Sequence, residues 1–238
     1  MKLIPDPTGR FKERPYFDAA ELDVDCESRV SKFLRSIHGK VEFPIATDDL
    51  TKLIEQHVDD FDSFADLTTL YGEGVEGVTE FRPGKKPIVR IHQDLTGDDA
   101  RENRLRTTLT HELGHVIYHA WLFDLRDAPS LFPKPRSNDV QVCKRETILN
   151  APQVDWMEWQ AGHVCGAMLM PSSRVRRLAK EVAASNPPPE LEAIGPDSAY
   201  GRALIRAVST QFQVSSDAAE VRSHRLGLLS RMDRSLTF

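Results

Sequence analysis

Apolar residues recur at intervals of three and four positions through much of the chain, a spacing typical of amphipathic helices. Between residues 22 and 38, Val30, Phe33, Leu34 and Ile37 fall on one face of the helix that this spacing predicts. The same pattern predicts helices over residues 47–57, 98–123, 154–170, 172–184, 197–211 and 216–229. Thr47 or Asp48 is expected to cap the helix at residues 47–57.

Three short segments after the second predicted helix are rich in β-branched and aromatic residues and are bounded by Gly, Pro or Asp, as strands are. They are DSFADLTTLY (62–71), GVEGVTEFRP (74–83) and KPIVRIHQ (86–93). Residues 124–153 contain four prolines and little periodicity, so we expect a long loop there. A loop of that length inside a domain is more often functional than idle.

The composition is that of an ordinary globular protein, with 238 residues, 40% hydrophobic side chains and 28% charged side chains. This length suits one large domain, or one domain with an appendage. We therefore expect an α+β fold with three parts: an extended arm at 1–21, a main domain at 22–184 and a C-terminal helical subdomain at 185–238. The subdomain is expected to resemble a helix-turn-helix, with its turn at QVSS.

Charge and cysteine content favour a cytoplasmic protein without a generally basic nucleic-acid-binding surface, and leave open a local basic face near the C-terminus. The start of the chain, MKLIPDPTGRFKERPYF, lacks the apolar core of a signal peptide, and no apolar run approaches the length of a membrane span. Cys26, Cys143 and Cys165 are scattered, so free thiols are expected. Residues 1–100 hold 13 basic and 21 acidic side chains and residues 101–238 hold 18 and 15, so neither part is strongly basic.

The stretch THELGHVIYH, residues 110–119, contains the pattern His-Glu-x-x-His. Residues four apart on a helix share a face, so His111 and His115 can direct both imidazoles at one metal ion. Glu112 lies about 100° round the helix from His111, where it can reach a water on that ion and take its proton. Chance would produce this pattern about 0.02 times in such a chain, so the motif indicates a catalytic zinc site.

Glycines and other small residues predict close packing around this helix. Gly114 lies inside it and costs about 1 kcal/mol relative to alanine, which a backbone or substrate passing close by would justify. In the later helix DWMEWQAGHVCGAMLMP, Ala161, Gly162, Cys165 and Gly166 form a face of small side chains. Such a face permits a close approach to another backbone.

A catalytic zinc site needs a third protein ligand besides two histidines. His119 continues the same helix face, but ligands at i, i+4 and i+8 of one straight helix cannot all converge on one ion. Glu158, near the start of the later helix, is the favoured third ligand, and Asp155 and His163 are the alternatives.

The two segments T-H-E-L-G-H and E-W-Q-A-G-H-V-C-G-A-M-L-M-P resemble the signature helices of the ImmA/IrrE family of zinc metallo-endopeptidases. The second helix of that family has the form E-x-x-A-(Asn/Asp)-x-F-A-x-x-L-L-M-P. Glu158, Ala161, Leu169, Met170 and Pro171 match it without a gap. PIVRIH resembles the family's edge strand and FQVSSDAAEVRSHRLGLL its closing segment, so the likeness covers about residues 45–230.

The resemblance implies a zincin-like core with a small antiparallel or mixed sheet and one Zn²⁺ per chain. It makes His111, His115 and Glu158 the zinc ligands and Glu112 the general base. It also implies a protein substrate that is cleaved or otherwise relieved, a DNA-binding repressor or other transcriptional regulator in a phage, mobile-element or stress-response circuit. The substrate would lie along the PIVRIH strand as an added β-strand.

The chain departs from the family pattern at two places in the second helix. Gly162 replaces the family's Asn or Asp, which removes a polar group that could orient a zinc histidine. Val164 and Cys165 replace Phe-Ala, and Cys165 is expected to be a small core residue. These changes bear more on catalytic efficiency than on metal binding.

Candidate substrate-binding residues are Tyr118, His163, Ile88 and Arg90. Two other functions stay open at this point. One is a weakly catalytic or non-catalytic metal-binding module that docks to a regulator. The other is DNA binding through the two C-terminal helices, with Arg222, His224 and Arg225 facing a groove.

Overall fold

The computed structural model of the chain describes residues 2–126, 140–144, 155–188 and 194–230. The helices are α1 (Ala19–His38), α2 (Thr47–Glu55), α3 (Leu67–Tyr71), α4 (Gln93–Thr96), α5 (Glu102–Arg126), α6 (Trp156–Leu169), α7 (Ser172–Ser185), α8 (Ala199–Phe212) and α9 (Ser216–Arg225). The strands are β1 (Lys2–Pro5), β2 (Glu13–Tyr16), β3 (Asp60–Ala65), β4 (Val75–Glu80), β5 (Ile88–His92) and β6 (Val140–Lys144). The chain is therefore of the α+β class, as the sequence predicts.

The N-terminal segment is a folded hairpin, so the expected extended arm at 1–21 is wrong. Strands β1 and β2 pair antiparallel. Asp6 closes the turn between them by accepting hydrogen bonds from the backbone N–H groups of Thr8 and Phe11. Phe11 is buried and packs edge-on against Phe123, with the ring centroids 5.1 Å apart. This burial attaches the hairpin to α5.

Three other expectations from the sequence need correction. The first strand candidate, residues 62–71, divides into β3 and the short helix α3, because Asp66 caps α3 by accepting a hydrogen bond from the Thr69 N–H. The expected long loop at 124–153 contains strand β6, and the rest of it from residue 127 lies outside the described residues. The start of α2 has Ala46 as its cap residue, without a side-chain cap from Thr47 or Asp48.

The larger sheet has the strand order β3-β5-β4-β6. β5 runs parallel to β3, and β4 runs antiparallel to both β5 and β6. The PIVRIH strand, β5, is therefore an interior strand, and the expectation that it forms the edge of the sheet is wrong. Among the described residues, β6 is the edge strand on the side of β4.

Pairing between β4 and β6 decides which side chains face α5. Cys143 lies opposite Gly77, and Gln141 lies opposite Thr79. Because side chains alternate between the two faces of a sheet, these four residues share one face. Thr79 contacts Glu112 of α5, so this is the face toward the helix.

The C-terminal helices belong to the same hydrophobic core as the N-terminal ones. Leu22 and Leu34 of α1 share a buried cluster with Leu109 of α5 and Val208 of α8. The C-terminal helices, which the sequence assigns to a subdomain, thus pack into the core of the main domain. Among the described helices, none is both long enough and apolar enough to cross a membrane.

A buried ion pair connects α1, α6 and α9. Asp23 Oδ1 accepts hydrogen bonds from Arg222 Nη1 at 2.8 Å and from His163 Nε2 at 3.0 Å. Burial alone would raise the pKa of Asp23. The hydrogen bond from His163 and the charge of Arg222 outweigh burial and hold this pKa below its ordinary value of 3.8. All three side chains are buried.

This network contradicts the arrangement on which DNA binding through the C-terminal helices depends. Arg222 is 1% exposed and is bonded to Asp23, so it cannot face a DNA groove. Arg225 Nη1 donates to the carbonyl oxygen of Gly162 at 2.8 Å, and His224 bonds the carbonyl of Leu229. The two arginines anchor α9 to α1 and α6.

The variant Asp23→Ala should lower the free energy of unfolding by about 3–5 kcal/mol at neutral pH, because it leaves Arg222 buried without a counter-charge. Since the pKa of Asp23 is lower in the folded protein than in the unfolded chain, its stabilisation is present at neutral pH. It is lost as the pH falls from about 3.8 through the folded-state pKa. Urea unfolding at several pH values measures both effects.

The exposed pair Lys40–Glu42 provides the control. Glu42→Ala should change the free energy of unfolding by less than about 1 kcal/mol, because solvent screens an exposed pair. Equal destabilisation by the two variants would contradict the role assigned to Asp23.

Candidate metal centre

Helices α5 and α6 approach each other closely at Gly114. A β-carbon added to Gly114 would lie 3.1 Å from the Cα of Ala161 and 3.3 Å from the Cβ of Val164. A larger residue at this position would push the helices apart. Gly114 is therefore needed because the backbone of a neighbouring helix passes close to α5, which is one of the two reasons that the sequence suggested.

This approach brings two histidines of α5 to a carboxylate of α6. The Nε2 atoms of His111 and His115 are 3.2 Å apart. His111 Nε2 lies 3.1 Å from Glu158 Oε2, and His115 Nε2 lies 3.0 Å from Glu158 Oε1. Donor atoms about 2.0–2.1 Å from a tetrahedral zinc ion are about 3.3 Å from one another. The distances between neighbouring donor atoms of these three side chains are therefore close to those in a zinc site.

A chain of hydrogen bonds sets the tautomer of His115. Gln160 Nε2 donates to the carbonyl oxygen of Pro15, so Gln160 Oε1 is the atom that accepts from His119 Nε2 at 3.0 Å. His119 Nδ1 is then unprotonated and accepts from His115 Nδ1 at 3.0 Å. In its neutral form His115 consequently has its lone pair on Nε2, the atom that faces Glu158.

The centre of the cluster therefore calls for a positive charge. Nε2 of neutral His115 and the carboxylate of Glu158 are both acceptors, and both are buried. Burial would lower the pKa of His115, but the charge of Glu158 and its hydrogen bond outweigh burial and raise this pKa. Burial would raise the pKa of Glu158, but the charge of His115 and the histidine hydrogen bonds lower it. Either a proton or a metal ion can supply the positive charge.

Glu112 points from α5 toward strand β4. Its Oε2 accepts a hydrogen bond of 2.6 Å from the Thr79 hydroxyl. Its Oε1 accepts no hydrogen bond from the described residues and lies against Gly77, where a β-carbon would collide with it. Burial is the main cause that raises the pKa of Glu112. Glu112 is thus a buried carboxyl group with one oxygen held in place by Thr79 and the other without a hydrogen-bond partner among the described residues.

Strand β6 adds side chains that the sequence analysis did not place at the site. Cys143 Sγ forms a second donor group with His111 and Glu112, in which the ligand atoms all lie within 4.8 Å of one another. Gln141 Nε2 donates to Glu158 Oε1 at 2.6 Å. The prolines around β6 favour a loop in the sequence, so the pattern gives no signal for either residue. The sequence did contain a signal for the approach of Glu112 to the sheet. Gly77 lies inside a strand pattern, and an interior glycine often marks a close approach of another group.

The structure does not bring the alternative ligands into the cluster. Asp155 caps α6, where its side chain accepts from the Glu158 N–H. His163, also a candidate for substrate contact, bonds Asp23 instead. Tyr118, another such candidate, donates to Asp25 at 2.6 Å, away from the metal donors.

The other two candidate substrate contacts, Ile88 and Arg90, do not face the site. They lie opposite Glu80 and Val78 in the sheet register, whereas Thr79, which faces α5, lies opposite Val89. Ile88 and Arg90 are therefore on the face of the sheet away from α5, and Arg90 pairs with Glu80.

Comparison with models of known protein families finds no match to this chain, and comparison with curated proteins finds none either. The spacing of the donor atoms and the tautomer of His115 both suit a metal ion at this cluster.

Zinc retention in two variants should show which donor group binds the metal, His111 with His115 and Glu158 or His111 with Glu112 and Cys143. Glu158→Gln should weaken zinc binding, because a neutral amide is a poorer zinc ligand than a carboxylate. Glu112→Gln should leave zinc binding nearly unchanged. Elemental analysis after dialysis against a chelator measures both. The reverse order of retention would place the metal at the group that contains Glu112 and Cys143.

Loss of the acceptor on His119 should also weaken zinc binding. His119→Phe retains a ring of similar size but leaves the His115 Nδ1–H without its partner, and loss of such a partner typically lowers metal affinity about 10–100-fold. Gln160→Leu should have a smaller effect in the same direction, because it frees the tautomer of His119 without touching His115. Competition titration with a chromogenic chelator measures the affinities. Unchanged affinity in His119→Phe would exclude the proposed orienting role.

Proposed function

We propose that the chain is a zinc-dependent endopeptidase with a zincin-like core that cleaves a protein substrate. The observation that carries this proposal is the position of Glu112. A structural metal site has no use for a buried carboxylate beside its ligands, whereas a hydrolytic site needs a base there. The unpartnered Oε1 of Glu112, next to the donor triangle of His111, His115 and Glu158, supports the hydrolytic assignment.

His111, His115 and Glu158 would hold the zinc ion. When bound, zinc supplies Lewis acidity that makes a water acidic and polarises a peptide carbonyl. Glu112 accepts a proton at Oε1, since Oε2 is engaged by Thr79. The raised pKa of Glu112 favours its holding that proton and passing it to the departing amine.

The substrate class follows from the sheet and from the family resemblance. We infer that an extended peptide pairs with β6, which is the edge strand nearest the site among the described residues. Main-chain hydrogen bonds would supply affinity, and side-chain pockets would select the bond that is cut. The resemblance to ImmA/IrrE peptidases favours an exposed linker in a DNA-binding regulator as that peptide.

A second candidate function is a metal-binding module that docks to a regulator without cutting it. The burial of the site favours this candidate, since His111, Glu112 and His115 are 0% exposed. A peptidase needs Glu112 to cleave the regulator, whereas a docking module does not need Glu112 to bind it.

Glu112→Gln should abolish peptide cleavage while zinc content and the unfolding midpoint stay unchanged. The amide has nearly the same shape but cannot accept the proton, and loss of a general base typically costs about 10²–10⁴-fold in rate. Mass spectrometry measures cleavage of any DNA-binding regulator that is encoded beside the gene, and of unfolded casein as a general substrate. Retained cleavage in this variant would exclude the proposed mechanism, and absence of cleavage in the zinc-loaded wild type would favour the docking module.

Thr79 offers a matched pair of variants for the same mechanism. Thr79→Val removes the hydroxyl that holds Glu112 Oε2, so the rate should fall while zinc content is maintained. Thr79→Ser preserves the hydroxyl and should retain most of the rate. Equal rates in the two variants would show that the Thr79 hydroxyl does not position Glu112.

A further inference from the structure

Strand β6 carries a thiol into the wall of the metal centre. Cys143 is fully buried, and its Sγ lies within 4.8 Å of the donor atoms of His111 and Glu112. Gln141, two residues earlier on the same face, is bonded to Glu158. Strand β6 is therefore attached to a proposed metal ligand at Gln141 and places Cys143 beside a second one.

A second observation points to a ligand at the same place. Glu112 is fully buried, and its Oε1 has no hydrogen-bond partner among the described residues. The Glu112 carboxylate and Cys143 Sγ belong to one group of donor atoms with His111, and the thiol interacts with that carboxylate. A buried carboxylate and a thiol thus lie side by side next to His111.

We propose that Cys143 is a fourth, displaceable ligand of the metal, held in the coordination position that a water must occupy for hydrolysis. The proposal rests on the proposed function, because it assumes that His111, His115 and Glu158 provide the other three ligands. It adds a closed state to that function, in which Cys143 occupies the coordination position of the water. The ligand set of the closed state is two imidazoles, one carboxylate and one thiolate.

Charge balance supports this ligand set. A divalent ion in a fully buried site is costly unless anionic ligands compensate it. The carboxylate of Glu158 and the thiolate of Cys143 together carry two negative charges, which balance one Zn²⁺. On binding, the thiol proton leaves to the solvent buffer, because a coordinating thiol is deprotonated by the metal. When Cys143 leaves, it is reprotonated and water takes its position beside Glu112.

Cobalt substitution tests the proposal without requiring activity. Co²⁺ in place of zinc gives an intense sulfur-to-cobalt charge-transfer band in the near ultraviolet only when a thiolate is bound to it. The wild-type protein titrated with Co²⁺ should show this band, and Cys143→Ala should lose it while retaining the weaker visible bands of bound cobalt. Cys143→Ala should also bind zinc more than about tenfold more weakly, as expected when a ligand is lost.

Cys165→Ala is the matched control. Cys165 is also buried, but its Sγ contacts Thr110 and the carbonyl of Thr107, so this variant should retain the band. Unfolding of the metal-free proteins by urea shows whether either substitution has damaged the fold. A folded Cys143→Ser variant, which lacks sulfur but preserves the size of the side chain, should lose the band in the same way.

The outcomes separate this proposal from the proposed function. Bound cobalt without a charge-transfer band, or a band that persists in Cys143→Ala, would overturn the role of Cys143 and leave the peptidase proposal intact. A band without cleavage of any substrate would overturn only the peptidase. A protein that binds no cobalt would overturn both. If both proposals hold, the cleavage rate at saturating zinc should be higher in Cys143→Ala than in the wild type.

Discussion

The close contact between α5 and α6 at Gly114 is the constraint on which the rest of the site depends. It places the Cα of Ala161 within 3.1 Å of where a β-carbon of Gly114 would lie. At this separation one turn of α6 lies beside the turn of α5 that carries His111 and His115. Glu158 can then reach both imidazoles, because its two oxygens face different histidines. A wider separation would break both contacts between the Glu158 carboxylate and the two imidazoles.

The N-terminal hairpin controls the chemistry of that contact from a distance in sequence. The carbonyl of Pro15 orients the amide of Gln160, and through His119 it determines which nitrogen of His115 carries the proton. Without this chain the proton could reside on Nε2, where it would bond Glu158 and satisfy the cluster with no metal ion. The hydrogen bonds therefore favour the state in which the cluster needs a cation.

The sequence was most informative where a single helix determines geometry. The spacing of His111, Glu112 and His115 sufficed to place them together, because four residues make about one turn of a helix. Glu158 could only be favoured over Asp155 and His163, because the choice depends on how α6 is rotated against α5. The spacing of residues along one helix carries no information about that rotation. The small residues of α6 did predict that it approaches another helix closely.

Sheet order was less accessible to sequence reasoning. The strands around PIVRIH could be recognised from their β-branched residues, but an interior and an edge strand differ in what pairs beside them. The pairing of β6 with β4 joins residues that are 60 to 69 positions apart, with all of α5 between them. Thr79, Gln141 and Cys143 acquire their positions at the site from that pairing, so no local pattern marks them.

Glu112 shows why the site is better explained by chemistry than by stability. An unpartnered oxygen on a buried polar group costs about 1–3 kcal/mol, and an alanine at position 77 would be expected to form the strand more readily than glycine. The chain nevertheless has Gly77 where a β-carbon would collide with Glu112. It also holds the other oxygen of Glu112 with Thr79. Residues that each lower stability but together hold one side chain in a particular position are expected at functional sites. The agreement of Gly77, Thr79 and Glu112 therefore favours a base that is held ready to act over a packing residue.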